Sequence, residues 1–169
     1  MIEANFISED EETKLLEEIL NMPFNNDLKR RTQHYGYKYP YTKNPVSLIK
    51  CDPIPNFLNN ILTRLNEKFD KNFDQIIINE YLPGQGIFPH IDNPNFFGDT
   101  IISLSLGSDI LMVIGDKEID LQKNSILVLQ EEFRYSLKHG IVGRKKDIVN
   151  GITRERHTRI SITFREVLK

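Results

Sequence analysis

From Arg159 to Arg165 the chain reads Arg-Ile-Ser-Ile-Thr-Phe-Arg, an unbroken alternation of polar and apolar residues. A helix would scatter that pattern around its circumference; a strand sorts it onto two faces. Ile160, Ile162 and Phe164 then belong to a core, while Arg159, Ser161, Thr163 and Arg165 share the other face. Two arginines on an enclosed sheet face are expensive to desolvate unless they meet anions. A guanidinium forks around a carboxylate through two parallel hydrogen bonds, so one arginine could fix each end of a small dicarboxylate. Their α-carbons lie roughly 20 Å apart on an extended strand, so the side chains lean together, or one of them braces a carboxylate of the protein itself. The competing assignment is an edge strand with a solvated polar face.

Upstream, His90-Ile91-Asp92 puts an imidazole and a carboxylate two residues apart, on one face of a brief strand expected near 87 to 92. His139 supplies a second imidazole at the end of a strand expected over 133 to 139, just before Gly140. Two imidazoles and one carboxylate leave coordination positions open, which favours iron(II) with a co-substrate and dioxygen over a closed structural zinc site. Asp92 is then also the carboxylate that one of the two arginines could brace. Singly these residues say little, since a His-x-Asp pair is more often a surface turn and a lone histidine a hydrogen-bonded side chain. Their conjunction with the arginine strand carries the reading. Asn79 and Tyr81 sit two apart on a strand over 75 to 81 and could donate to the same co-substrate carboxylates. His34 and His157 lie in polar stretches and are read as solvated.

The N-terminal part has a different texture. Ser8 and Glu11 form a capping-box pattern, followed by Leu15, Leu16, Ile19 and Leu20 on one helical face until Pro23. A second helix is predicted from Asp52-Pro53, with Phe57, Leu58, Ile61, Leu62, Leu65 and Phe69 as its stripe. Residues 24 to 50 have no clean period and read as loop or irregular strand. After Asp74 short β-type runs follow at 75–81, 87–92, 100–106, 110–114, 118–121, 125–130, 133–139 and 158–166. The run 143–158 is read as a long polar connection. Two helices and then about eight strands predict an α+β fold, a double-stranded β-helix (jelly roll) flanked by two N-terminal helices. At 169 residues a single domain is expected, with 1–73 as a helical and substrate-lid part and 74–169 as the jelly-roll core.

The formal net charge of −2 excludes a uniformly basic nucleic-acid coat but leaves room for a local basic patch. One cysteine, Cys51, allows neither an internal disulfide nor a thiolate zinc cluster, so a metal must be held by histidine and carboxylate. The N-terminus shows neither the basic start nor the apolar core of a secretory signal, and no apolar run approaches a bilayer span. An intracellular, cytoplasmic protein without membrane contact is expected, as a monomer.

Taken in order, Asn79 to Ile87, His90-Ile91-Asp92, Ser103 to Ser108, His139-Gly140-Ile141 and Arg159 to Arg165 resemble AlkB-type iron(II)/2-oxoglutarate dioxygenases. The resemblance is strong over 74–167 and looser before it. It implies that His90, Asp92 and His139 bind Fe(II), that Arg159 and Tyr81 hold the distal carboxylate of 2-oxoglutarate, and that Asn79 and Arg165 serve its iron-chelating end. Ser161 stands where some members carry asparagine. The implied chemistry consumes O2 and 2-oxoglutarate, with ascorbate as reductant in vitro, to oxidise a C–H bond of a nucleic-acid substrate. Repair demethylases of the family place a second carboxylate two residues after the metal aspartate; this chain has Pro94 there. Tyr81 to Ile87, Arg134-Tyr135, His139-Gly140-Ile141 and His34-Tyr35-Gly36-Tyr37 are similar to the branch that hydroxylates a modified wobble uridine in tRNA. That branch also carries an RNA-recognition module and a methyltransferase domain. If this chain acts on tRNA, it binds with its own surface or borrows a methyltransferase or RNA-binding partner in trans.

Hydroxylation of a modified tRNA nucleoside is thus the leading expectation. The alternatives are oxidative demethylation of N-alkylated bases in DNA or RNA, and a non-catalytic metal-binding jelly roll. For RNA contact, Arg30, Arg31, Arg144, Lys145 and Arg156 are candidate phosphate ligands, and Tyr35, Tyr37 and Phe96 candidate stacking residues.

Overall fold

The computed structural model describes residues 1–169. Its main sheet has six strands in the order Ile2–Glu3, Ile126–Leu129, Phe97–Leu106, Arg159–Val167, Gln75–Tyr81 and Arg31–Tyr35. A second sheet orders Ile87–His90, His139–Ile141, Ile110–Ile114 and Lys117–Leu121. All pairings in both sheets are antiparallel. The arginine strand is thus not an edge but lies between Phe97–Leu106 and Gln75–Tyr81.

Its alternation divides the molecule into layers. Ile160, Ile162 and Phe164, with Ile76 and Ile78 of the neighbouring strand, pack into a core with Leu15 and Ile19 of helix α1 (Glu9–Asn21) and Ile61 and Leu65 of helix α2 (Asn59–Phe69). On the opposite side Tyr81, Ile101, Leu127 and Leu129 meet Ile110, Met112, Ile114 and Ile141 of the smaller sheet. Helices cover one face of the large sheet, and the small sheet covers part of the other. The polar face of the arginine strand therefore looks into the space between the two sheets.

Helix α1 begins as its sequence predicts: Ser8 Oγ accepts from the Glu11 amide at 3.1 Å, and Glu11 accepts in return from the Ser8 amide at 2.8 Å. Helix α2 starts later than Asp52-Pro53. Pro55 holds an extended backbone with ψ 148°, and one 3-10 turn, Asn56–Leu58, precedes the α-helix.

Three other expectations need correction. Residues 24–50 contain a regular strand, Arg31–Tyr35, paired residue by residue with Gln75–Tyr81. The expected strand over 133–139 is instead a single helical turn, α3 (Glu131–Tyr135), and His139 opens the next strand. The alternation Phe133 to Leu137 is misleading because Arg134 turns inward to cap three main-chain carbonyls. The connection 143–158 contains a hairpin, Lys146–Val149 with Ile152–Glu155, turning at Asn150-Gly151 with φ of 51° and 77°. Asn-Gly suits the left-handed angles of a tight hairpin turn. No helix is long and apolar enough to cross a membrane.

Candidate active site

A cleft of about 1340 Å³ opens between the two sheets. The small sheet and the segment that leaves its edge strand bring the metal-ligand types to one spot in it. His90 and His139 face each other across an antiparallel register, with ring centroids 4.4 Å apart. Asp92 lies just past the end of its strand rather than within it, and its carboxylate stands 3.5 Å from His90 Nε2. One ligand atom from each of His90, Asp92 and His139 lies within 4.8 Å of the others. The strand carrying His139 can approach closely only because residue 140 is glycine: a Cβ there would come within 2.8 Å of the Pro89 nitrogen.

Hydrogen bonds and charge prepare these side chains for a cation. The Phe88 carbonyl can only accept, so His90 Nδ1 donates to it at 2.8 Å, which selects the neutral tautomer whose Nε2 is free to ligate. Burial lowers the His139 pKa to about 4 despite the nearby Asp92 carboxylate, so this imidazole is neutral at physiological pH. For Asp92, burial opposes ionisation, but the Arg165 guanidinium, the largest of the opposing influences, helps hold the carboxyl well below the usual range. Arg165 donates to both Asp92 oxygens, at 3.2 and 3.3 Å, and to Gln75 Oε1 at 3.0 Å. Of the two options open for the arginine strand, Arg165 takes the one that braces the carboxylate.

Arg159 is different. It is 1% exposed and lies opposite Tyr81 in the register, 5.6 Å from that ring. Its one side-chain hydrogen bond runs from Nη2 to Ser105 Oγ at 2.8 Å, and Nε has no partner. Burial lowers its pKa to about 10, which still leaves it a full cation at neutral pH. Such a guanidinium is a standing demand for an anion. Burial raises the Tyr81 pKa, so its phenol stays protonated beside that cation. Ser161 and Asn79 face each other in the same register and line the cleft, and Asn79 Oδ1 accepts from Arg30 Nε at 2.9 Å.

Sequence reasoning missed two features. Arg134 is buried and donates to the carbonyls of Asp92, Phe97 and Gly98 at 2.7, 2.9 and 2.8 Å, holding the segment that carries Asp92. Arg134-Tyr135 enters the sequence reading only through the family resemblance, and its position after two glutamates in an apparently alternating run does not mark Arg134 as buried. Tyr39 and Tyr41 line the cleft in edge-to-face contact at 5.5 Å. His34, expected to be solvated, packs against Tyr41 at 6.3 Å, and burial, helped by Lys38 and Arg165, lowers its pKa to about 4.

The candidates for RNA contact fare unevenly. Arg30 lines the cleft, and Lys145 is exposed beside Gly84, which lines it. Arg31 is instead paired with Glu80 at 2.8 Å, and Arg144 with Glu118 at 2.7 Å and Asp147 at 2.8 Å. Arg156 is buried against Asp147 at 2.7 Å. Tyr35 is buried and donates to Gln33 Oε1 at 3.0 Å, so it cannot stack a base. Tyr37 and Phe96 are half-buried and neither lines the cleft. Three of the five cations read as phosphate ligands, Arg31, Arg144 and Arg156, are here satisfied by carboxylates of the protein.

Comparison with known proteins agrees with this geometry. The sequence pattern of the "2OG-Fe(II) oxygenase superfamily" matches residues 4–165. A protein of Acanthamoeba polyphaga mimivirus, "Uncharacterized protein L905", is 37% identical over 98% of this chain and 83% of its own length. The mouse "tRNA (carboxymethyluridine(34)-5-O)-methyltransferase ALKBH8" is 40% identical over 88% of this chain, which spans only 25% of that longer protein. Among solved structures, "The structure of OsALKBH1" superposes with a TM-score of 0.68 over 98% of this chain and 97% of that one, at 17% identity, a likeness of fold. The chain belongs to the 2OG-Fe(II) oxygenase superfamily, as an AlkB-type dioxygenase dependent on iron(II) and 2-oxoglutarate. The His90–Asp92–His139 donor set and the unpartnered Arg159 guanidinium fit those two groups.

Proposed function

We propose that the protein hydroxylates a modified nucleoside of tRNA, with a wobble-position uridine as the favoured target. The observation that carries this reading is the 40% identity to a protein whose name specifies carboxymethyluridine 34 of tRNA. It is supported by Pro94 standing where the family's repair demethylases carry a second carboxylate.

In this reading His90, Asp92 and His139 hold iron(II). Arg159 and Tyr81 take the distal carboxylate of 2-oxoglutarate, the first as an ion pair and the second as a hydroxyl donor. Asn79, with Ser161 opposite it, serves the other end of the co-substrate. Arg165 acts there through Asp92, whose charge and orientation it fixes. The bound iron and co-substrate supply dioxygen activation: 2-oxoglutarate is oxidised to succinate and carbon dioxide while one oxygen atom enters a substrate C–H bond. The chain's own contribution is positioning, exclusion of water by the flanking sheets, and a prearranged field around Asp92. A methyltransferase or RNA-binding partner in trans belongs to the same proposal.

The test is nucleoside mass spectrometry of tRNA and of methylated DNA and RNA oligonucleotides after incubation with protein, iron(II), 2-oxoglutarate and ascorbate, with His90→Ala as control. A gain of one oxygen on a tRNA nucleoside is the expected result. Loss of a methyl group would reassign the protein to demethylation, and no change in any pool would refute a nucleic-acid substrate.

A further inference from the structure

The cleft mouth carries an aromatic side chain that neither the iron site nor the co-substrate site uses. Phe88 lies on the edge strand Ile87–His90, two residues before the first metal-ligand candidate, and is 91% exposed at the lip of the cleft. Two cations without acidic partners lie around the same cleft. Lys29 lines the cleft, and its carbonyl accepts from Gln85 Nε2 at 3.1 Å, which ties it to the Leu82–Gln85 turn. Lys145 packs on the same turn, its Cγ 3.7 Å from where a Cβ of Gly84 would lie. Both are exposed and neither makes a salt bridge, whereas Arg31, Arg144, Lys146, Arg154 and Arg156 are all paired with carboxylates. Asp92 is the one carboxylate lining the cleft, and Arg165 neutralises it. A chain with net charge −2 thus presents a positive lip with a bare phenyl ring beside it.

We infer that Lys29, Lys145 and Phe88 form a landing strip for a single-stranded segment of nucleic acid. The lysines meet successive phosphates, and Phe88 stacks on a base next to the one that enters the cleft. The inference rests on the nucleic-acid reading above and adds where the strand lies and what holds its flank. A phenyl ring suits any base, because every base offers a π-face, so this contact sets position along the strand rather than sequence.

The chain contains no tryptophan, so Phe88→Trp creates a single fluorophore at the proposed stacking position. We expect an RNA anticodon stem–loop to quench it saturably, and the apparent affinity to fall as salt rises. Lys29→Ala combined with Lys145→Ala should weaken binding several-fold and reduce the slope of log affinity against log salt by about two. Phe88→Ala should weaken RNA binding several-fold in an anisotropy assay, and Phe88→Tyr should restore it. RNA that binds without quenching, or quenching indifferent to the two lysines, would overturn the inference, as would quenching by peptides but not by RNA. These readouts need no turnover. Oxygen insertion into a tRNA nucleoside without quenching would refute the landing strip alone, whereas quenching without oxygen insertion would support the strip and count against the proposed reaction.

Discussion

Arg156 and Arg159 are three residues apart, both buried, and in opposite situations. Arg156 grips Asp147 with Nε and Nη2 at 2.9 and 2.7 Å, and its Nη1 donates to the Val142 carbonyl at 2.6 Å. Asp147 also takes the Leu111 amide at 3.1 Å and Arg144 Nε at 2.8 Å; burial opposes its charge, but these donors lower its pKa to about 2. Every donor and acceptor there is met by protein, and the network pins the hairpin Lys146–Val149/Ile152–Glu155 to the small sheet. Arg159, by contrast, has one hydroxyl and the face of Tyr81. One buried cation is completed by the protein and the other is left with unmet donors, which is why the proposed co-substrate contact falls on Arg159 and not on Arg156. Arg165 stands between the two, paired with a carboxylate that is itself a ligand candidate.

Several variants would break or sharpen that contrast. The largest effect belongs to the intermediate case: Asp92→Ala should reduce 2-oxoglutarate turnover to background while circular dichroism retains the native strand content. Normal turnover in that variant would remove Asp92 from the metal site. Next comes the finished network. Arg156→Ala leaves Asp147 charged, buried and short of its main partner, a loss of about 3–5 kcal/mol in chemical denaturation. Arg159→Ala should cost about 1 kcal/mol or less in the same experiment, because it removes one hydroxyl contact together with an under-partnered charge. Equal losses in the two variants would erase the distinction.

The remaining contrast is one of pH. His34 and His139 have folded pKa values lowered to about 4 from an ordinary 6.5, so between those values the unfolded chain binds protons that the folded protein refuses. Their contribution to stability is complete above 6.5 and is lost as pH falls through about 4. The melting temperature of the metal-free protein should decline across that window, and His34→Gln should flatten part of the decline. A profile unchanged by that substitution would show that His34 is not buried neutral.

The same pair of arginines shows what could be read from the sequence and what could not. The inward placement of Arg159 is legible because a period of two sorts residues onto faces without any knowledge of the rest of the fold. His90, Asp92 and His139 were legible as chemistry, although the helical turn Glu131–Tyr135 replaced the strand expected before His139. The role of Arg156 was hidden because its partner lies nine residues away across a hairpin whose Asn150-Gly151 turn was read as part of a polar connection. The strand Arg31–Tyr35 escaped for a related reason: its side chains are polar, and its place in the sheet comes from pairing with Gln75–Tyr81 rather than from local pattern. Arg134 was hidden because its partners are main-chain carbonyls, which leave no mark on residue identity.

The most direct test is calorimetric titration of 2-oxoglutarate into the metal-loaded, anaerobic protein, comparing the wild type with Arg159→Ala and with the folded fraction of Arg156→Ala. Binding should be about ten- to a hundredfold weaker in Arg159→Ala, through loss of a charge-assisted bidentate contact worth about 1.5–3 kcal/mol, and of wild-type affinity in Arg156→Ala. Undiminished affinity in Arg159→Ala would contradict that contact.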